Sequence, residues 1–212
     1  MINQDNERLL DALREKISTY MSGKRLSHTL AVEREIKKLC DVYAPDKEYT
    51  LRASALLHDI TKELSVQKQL QLCEEFGIMY MPEEILTPKI FHSRTAPAVI
   101  ERDFPEFADE EILSAVRWHT TGRADMTLGE ELLFLADYIE DTRTFESCVT
   151  LREFFWNGVD GAADKAAHLT DTMIMALDMT VNELCDERQP IHLDTMSARN
   201  SLIFKSRKKV QS

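Results

Sequence analysis

The stretch ALLHDITKEL, residues 55–64, ends a run of small and apolar residues on an adjacent His58-Asp59 pair. Leu51, Ser54 and Ala55 precede His58 at helical spacing, so the pair lies at a helix end and faces inward. Inward imidazole and carboxylate groups are costly unless protonated, hydrogen-bonded or bound to metal. Outward from this stretch the pattern recurs. His28 shares a helix face with Val32, Ile36 and Leu39, and His119 follows Ile112 and Val116. His92 opens a further helical run, and Asp137 lies in LLFLADYIE behind Leu133. A single histidine on an apolar face is ordinarily a satisfied core residue, and a single buried aspartate is ordinarily a cap or an ion-pair partner. Four histidines and two aspartates repeating this placement point instead to a dinuclear metal centre. Asp59 has two oxygens and can bridge two ions; His28, His58 and Asp137 can complete one site, His92 and His119 the other. Mixed imidazole and carboxylate ligands suit iron, manganese or zinc. Two such ions ~3.5–4 Å apart can hold and activate a water for in-line attack on phosphorus. The remaining histidines, His168 in a polar–alanine stretch and His192 near the C-terminus, carry no assigned function.

Around this set the chain reads as all-α, with no strand alternation and no internal repeat. Helical pattern runs over 7–20, 24–43, 48–60, 66–76, 92–102, 109–119, 128–140, 144–156 and 160–185, with a short helix opened by Pro82. Ser65 is an expected N-cap, Gly77 a helix end, and Thr121-Gly122 a C-cap. Pro97 is unwelcome inside its helix unless that helix begins near Thr95. One domain over 1–190 is expected, followed by a tail over 191–212 with a basic end, dispensable for folding and hydrolysis. The apolar Leu202-Ile203-Phe204 is the one feature of that tail that argues for docking.

The 212 residues carry a net charge of −11. Lys205, Arg207, Lys208 and Lys209 stand in an acid-free end from residue 200, so the rest of the chain carries −15. Such a body repels a nucleic-acid backbone and argues against polymer binding, though not against a small phosphate ester held by local cations. The four cysteines are widely spaced with no C-x-x-C pair, so no zinc knuckle is expected; Cys40, Cys73 and Cys185 read as small core residues. Residues 1–18 are charged throughout and no apolar run approaches ~20 residues, so neither a signal peptide nor a membrane span is expected and the cytoplasm is the default. Phe154, Phe155, Trp156, Met173, Met175 and Met179 read as core before interface, with a homodimer left open.

Cations flank the set. Lys62 follows His58 by four residues and can reach a phosphoryl oxygen; Arg94 and Arg143 are candidate phosphate clamps, since guanidinium matches phosphate bidentately. The plain alternative for Lys62 is a surface lysine at a helix end, and for Arg94 and Arg143 a surface ion pair. Arg25 is either a phosphate ligand or a partner of Glu140 or Asp141. Small polar residues at Thr120-Thr121-Gly122 let a phosphate approach the backbone, although a plain C-cap explains them too.

The order H…HD…H…H…D resembles the HD-domain metal-dependent phosphohydrolases. GKRLSHTLAV around His28, ALLHDITKEL, FHSRTAPAVI around His92, WHTTG around His119 and LADYIEDTRTF around Asp137 are together similar to the YqeK family of symmetrical bis(5′-nucleosyl)-tetraphosphatases. The resemblance covers roughly residues 8–185. It implies an all-α HD bundle, cleavage of diadenosine tetraphosphate to two ADP, and two divalent transition-metal ions, iron first and manganese second. On that reading the metal ligands are His28, His58, Asp59, His92, His119 and Asp137, and Asp59 and Lys62 are catalytic. Arg25, Lys62, Arg94, Thr121, Gly122 and Arg143 bind a small-molecule nucleotide. Another HD phosphohydrolase acting on mononucleotides or cyclic nucleotides is the runner-up. A non-catalytic nucleotide or metal sensor is the rival from a different class, and a structural helical adaptor leaves Asp137 unexplained.

Overall fold

Side-chain caps start the helices. Asn3, Ser22, Ser65, Asp109, Thr127 and Asp164 each accept a backbone N–H of the first turn that follows. The computed structural model describes residues 2–210, and residues 208–210 by backbone alone, so the side chains of Lys208 and Lys209 in the basic end lie outside the described residues. Among the described residues there are ten α-helices, four short 3-10 turns and no strand. The helices are α1 (Gln4–Ile17), α2 (Gly23–Tyr43), α3 (Glu48–Leu57), α4 (Val66–Glu75), α5 (Phe91–Asp103), α6 (Glu110–Trp118), α7 (Leu128–Ile139), α8 (Glu146–Val159), α9 (Lys165–Asp186) and α10 (Leu193–Val210). Among the described residues no helix is long and apolar enough to cross a membrane.

Two apolar clusters form the core. One gathers Leu10, Leu13 and Ile17 of α1, Leu56 and Leu57 of α3, Val99 and Ile100 of α5, and Ile112 and Val116 of α6. The other gathers Val32, Ile36 and Leu39 of α2 with Leu132–Ala136 of α7, Leu151 and Phe155 of α8, and Met173 and Leu177 of α9. Each fully buried leucine or phenylalanine contributes about 1.5–3 kcal/mol. Helices α3 and α6 serve both clusters, through Leu51 and Ala55 on one face of α3 and Ala115 on α6. Both helices end at a histidine, so His58 and His119 are delivered to the seam between the cores. A polar knot reinforces α1, α2 and α3: buried Arg52 donates to Glu33 at 3.0 Å, Glu48 at 3.1 Å and Glu7 at 2.8 Å.

The structure departs from the sequence expectations in four places. Helix α5 begins at Phe91 and runs through Pro97, because the turn before the proline is buried from Phe91 to Ala96 and that burial outweighs the roughly 3 kcal/mol an internal proline costs. Residues 193–210 are helical, not a patternless tail: Ala198 is fully buried and Leu202 is 3% exposed within the core. A helix with only one narrow apolar contact line has little amphipathic signature, which is why its periodicity escaped the sequence reading. Of Leu202-Ile203-Phe204, Leu202 docks while Phe204 stays exposed. Cys185 is exposed near the end of α9, whereas Cys40 and Cys73 are buried as expected; all four cysteines are unpaired. Phe155 and Met173 are core residues, and Trp156, Met175 and Met179 pack against them, but Phe154 is largely exposed.

Candidate metal centre

His58 and His119 close their helices with one shared device. The Nδ1 of His58 donates to the carbonyl of Ala55 at 2.7 Å, and that of His119 to the carbonyl of Val116 at 2.7 Å. A backbone carbonyl only accepts, so both rings carry their proton on Nδ1 and turn a bare Nε2 inward. His28, from the first half of α2, places Nδ1 3.1 Å from Oε1 of fully buried Glu140 and likewise frees Nε2. His92 comes from the first turn of α5, with Nε2 3.0 Å from that of His119 and 3.2 Å from Oδ1 of Asp59. Asp59 is 3% exposed, and its Oδ2 lies 3.4 Å from His58 Nε2. Asp137 of α7 puts Oδ1 3.0 Å from His28 Nε2.

Ligand atoms of His28, His58 and Asp137 lie within 4.8 Å of one another, and so do those of His58, Asp59 and His119. His58 therefore serves both halves. The donor set fits divalent metal on internal grounds. Nε2 of His28, Nε2 of His58 and Oδ1 of Asp59 are buried without a hydrogen-bond partner, a costly state that a cation among them relieves. Titration behaviour reads the same way. Burial disfavours the carboxylate of Asp59, yet the surrounding imidazoles hold its pKa well below the usual range. Burial works likewise on Asp137, and Arg143 and His28 overcome it. Burial also opposes a charged His28, but Asp137, Glu140 and Asp59 lift its pKa to about 9. Burial, with Lys62 adding to it, drives His92 down to about 3, and burial lowers His119 too. The centre thus holds its carboxylates charged and His92 and His119 neutral, as metal ligation needs, whereas His28 gives up the proton it shares with Asp137 when a metal binds.

Three cations ring these groups. Arg25 Nη1 lies 2.7 Å from Asp59 Oδ2, Arg143 Nη2 2.7 Å from Asp137 Oδ1, and Lys62 Nζ 3.1 Å from His92 Nε2. Arg25 therefore pairs with neither Glu140 nor Asp141; Asp141 pairs with Arg34. The buried Nε atoms of Arg25 and Arg143 make no hydrogen bond. Burial lowers the pKa of Lys62.

Arg94 and Gly122 differ from their expected roles. The Arg94 guanidinium is committed to Glu84 of the 82–86 turn, at 2.8 Å, beside His192 on the same carboxylate. Its donors are engaged on a structural clasp, which leaves the phosphate-clamp expectation without support. Gly122 has φ +65°, and a Cβ there would sit 2.9 Å from the Cβ of Ala198, so the close approach of α10 explains the glycine. Thr121 is buried and donates to the carbonyl of Gly122. Its neighbour Thr120 puts Oγ1 3.1 Å from Nε2 of both His92 and His119.

Sequence reasoning missed Glu140 as the partner that orients His28. The signal was a carboxylate three residues after Asp137, at the end of the most apolar helix. Thr142 adds two bonds to the same carboxylate, through its N–H at 2.6 Å and its hydroxyl at 2.8 Å. His192 was also missed, because its partner Glu84 lies 108 positions away.

Comparison with known proteins agrees with this geometry. A family model described as HD domain matches residues 25–142, more than half the chain. A protein of Staphylococcus aureus named bis(5′-nucleosyl)-tetraphosphatase, symmetrical, is 32% identical over 147 residues, 68% of this chain and 72% of its own length. Relatives of the same name from Halalkalibacterium halodurans and Bacillus subtilis are 28% and 27% identical, over 90% and 88% of this chain and 95% and 94% of theirs. A Clostridium acetobutylicum crystal structure, described as a predicted HD superfamily hydrolase involved in NAD metabolism, superposes with a TM-score of 0.79 at 28% identity, covering 92% of this chain and 97% of that one. With its helical bundle, its ordered His and Asp residues and these relatives, the chain belongs to the HD-domain family, among the phosphohydrolases that include the symmetrical bis(5′-nucleosyl)-tetraphosphatases.

Proposed function

We propose that this chain cleaves dinucleoside tetraphosphates, diadenosine tetraphosphate in the first place, symmetrically to two nucleoside diphosphates, using two divalent transition-metal ions, iron or manganese. The observation that carries the reading is the trio of buried, partnerless ligand atoms on His28, His58 and Asp59, ringed by three cations. His28, His58 and Asp137 would hold one ion and His92 and His119 the other, with Asp59 shared. Bound divalent metal supplies Lewis acidity toward phosphoryl oxygens and lowers the pKa of water. Asp59, held as a carboxylate, orients the attacking water beside the scissile phosphorus. Arg25 and Arg143 steady the polyphosphate by their positive charge, and Lys62 offers its ammonium to the leaving diphosphate as charge develops there. Unpaired cysteines suit a reducing cytoplasm.

Metal analysis and a product assay test the reading. About two ions per chain are expected, and Asp59→Ala should lose both, because its carboxylate is shared between the sites. ADP alone from diadenosine tetraphosphate supports symmetrical cleavage. AMP with ATP would mean asymmetric attack, and binding without turnover would mean a sensor.

A further inference from the structure

Two cavities each include one residue that touches the metal ligands, from opposite halves of the centre. The first, of about 460 Å³, includes Thr120, whose hydroxyl touches the His92 and His119 imidazoles. The second, of about 700 Å³, includes Arg143, whose guanidinium holds Asp137. Lys89, Glu183 and Glu187 line both, so the cavities meet along one ridge formed by the 88–90 turn and the end of α9. Each volume falls in the roughly 300–1,000 Å³ range of small-molecule sites. Each also carries an exposed apolar side chain, Leu86 at 67% exposure in the first and Phe145 at 70% in the second.

Their chemistry divides a nucleotide into parts. The cations Arg25, Lys62 and Arg143 gather at the metal ligands. The cavity walls contributed by α9 and the residue that caps it are acidic, with Glu183 and Glu187 in both and Asp186 in the second. Carboxylates repel phosphate, but they accept hydrogen bonds from ribose hydroxyls and from the amino group of a purine. An exposed aromatic ring such as Phe145 offers a stacking face, and base stacking on aromatics is worth about 1–3 kcal/mol. We infer that the two cavities are the two nucleoside seats of a single dinucleoside substrate, one on each half of the metal centre, with the polyphosphate running between them over the cations. This inference rests on the proposed hydrolase reading, and it adds that both ends of the substrate are bound, which suits a cut at its midpoint.

The test uses ADP as probe on the full, metal-loaded chain, by isothermal titration calorimetry. Wild type should bind two ADP per chain. Thr180→Phe fills the first cavity and Asn182→Trp the second, and each should reduce binding to one ADP. Phe145→Ala keeps the space but removes the stacking face, and should raise the KM for diadenosine tetraphosphate at least tenfold. A far-ultraviolet circular dichroism spectrum and melt on each variant shows that it is folded. One ADP per chain in wild type, or two in both filled variants, overturns the inference. Because stoichiometry needs no turnover, the two readings fail separately. Two ADP bound with no hydrolysis of diadenosine tetraphosphate would leave the seats and remove the hydrolase. Symmetrical hydrolysis with a single ADP site would leave the hydrolase and remove the seats.

Discussion

Replacing Glu84 by glutamine should unfasten the clasp that joins the 82–86 turn, α5 and the start of α10. Glu84 accepts from Arg94 at 2.8 Å, from His192 at 2.6 Å and from the N–H of Met81 at 2.7 Å. The N–H of Asp194 donates to His192 Nδ1 at 3.1 Å, so the ring proton is on Nε2 and points at the carboxylate. Burial alone would raise the pKa of Glu84; Arg94, His192 and Met81 outweigh it and bring it from the usual 4.5 to about 2. At 1.36 kcal/mol per pH unit that difference is worth about 3 kcal/mol, a large share of the roughly 5–15 kcal/mol that holds a domain folded. A depressed carboxylate pKa stabilises the fold above the unfolded value and ceases to do so as pH falls through the folded one. The contribution is therefore complete above pH ~4.5, about half gone near pH 3, and absent below pH ~2. Glu84→Gln keeps the shape and one acceptor but loses the charge. Urea unfolding should show the variant about 3 kcal/mol less stable at pH 7, with the gap to wild type closing between pH ~4.5 and ~2. Comparing the two proteins at each pH cancels the other titrating carboxylates. A gap below about 1 kcal/mol at pH 7, or one unchanged down to pH ~3, would refute the reasoning.

Lys62→Ala should keep metal and fold but lower kcat at least tenfold, about 1.4 kcal/mol of barrier, since an ammonium acting on a developing phosphate charge counts most in the transition state; steady-state kinetics with wild-type kcat would leave Lys62 only its contact with His92. Glu140→Gln removes the buried carboxylate behind His28 and should weaken metal binding at the His28–Asp137 half by roughly 10–100-fold, as outer-shell partners commonly do; unchanged affinity in a metal titration would show that the backbone alone orients His28. Deleting residues 191–212 takes Ala198 and Leu202 out of the core and His192 off Glu84. The buried leucine alone is worth about 2–3 kcal/mol, so a thermal melt should fall by several degrees, and an unchanged melt would make α10 an ornament.

The inward set His28, His58, Asp59, His92, His119 and Asp137 was readable as sequence, because each residue sits at helical spacing from apolar neighbours, and local periodicity decides which way a side chain on a helix faces. The caps at Ser65 and Gly77 were readable for the same reason: they depend on the few residues beside them. The pairings were not readable. Glu140 meets His28 across 112 positions, and His192 meets Glu84 across 108, and no local rule brings such distant groups together. Whether Arg94 faced phosphate or a carboxylate depended on where the 82–86 turn settled, and Gly122 owed its identity to a helix that arrives from residue 198. Local spacing determined which groups point inward. Packing of the two cores against each other decided which of them meet, since hydrogen bonds and metal ligation reward contact in space and are indifferent to separation along the chain.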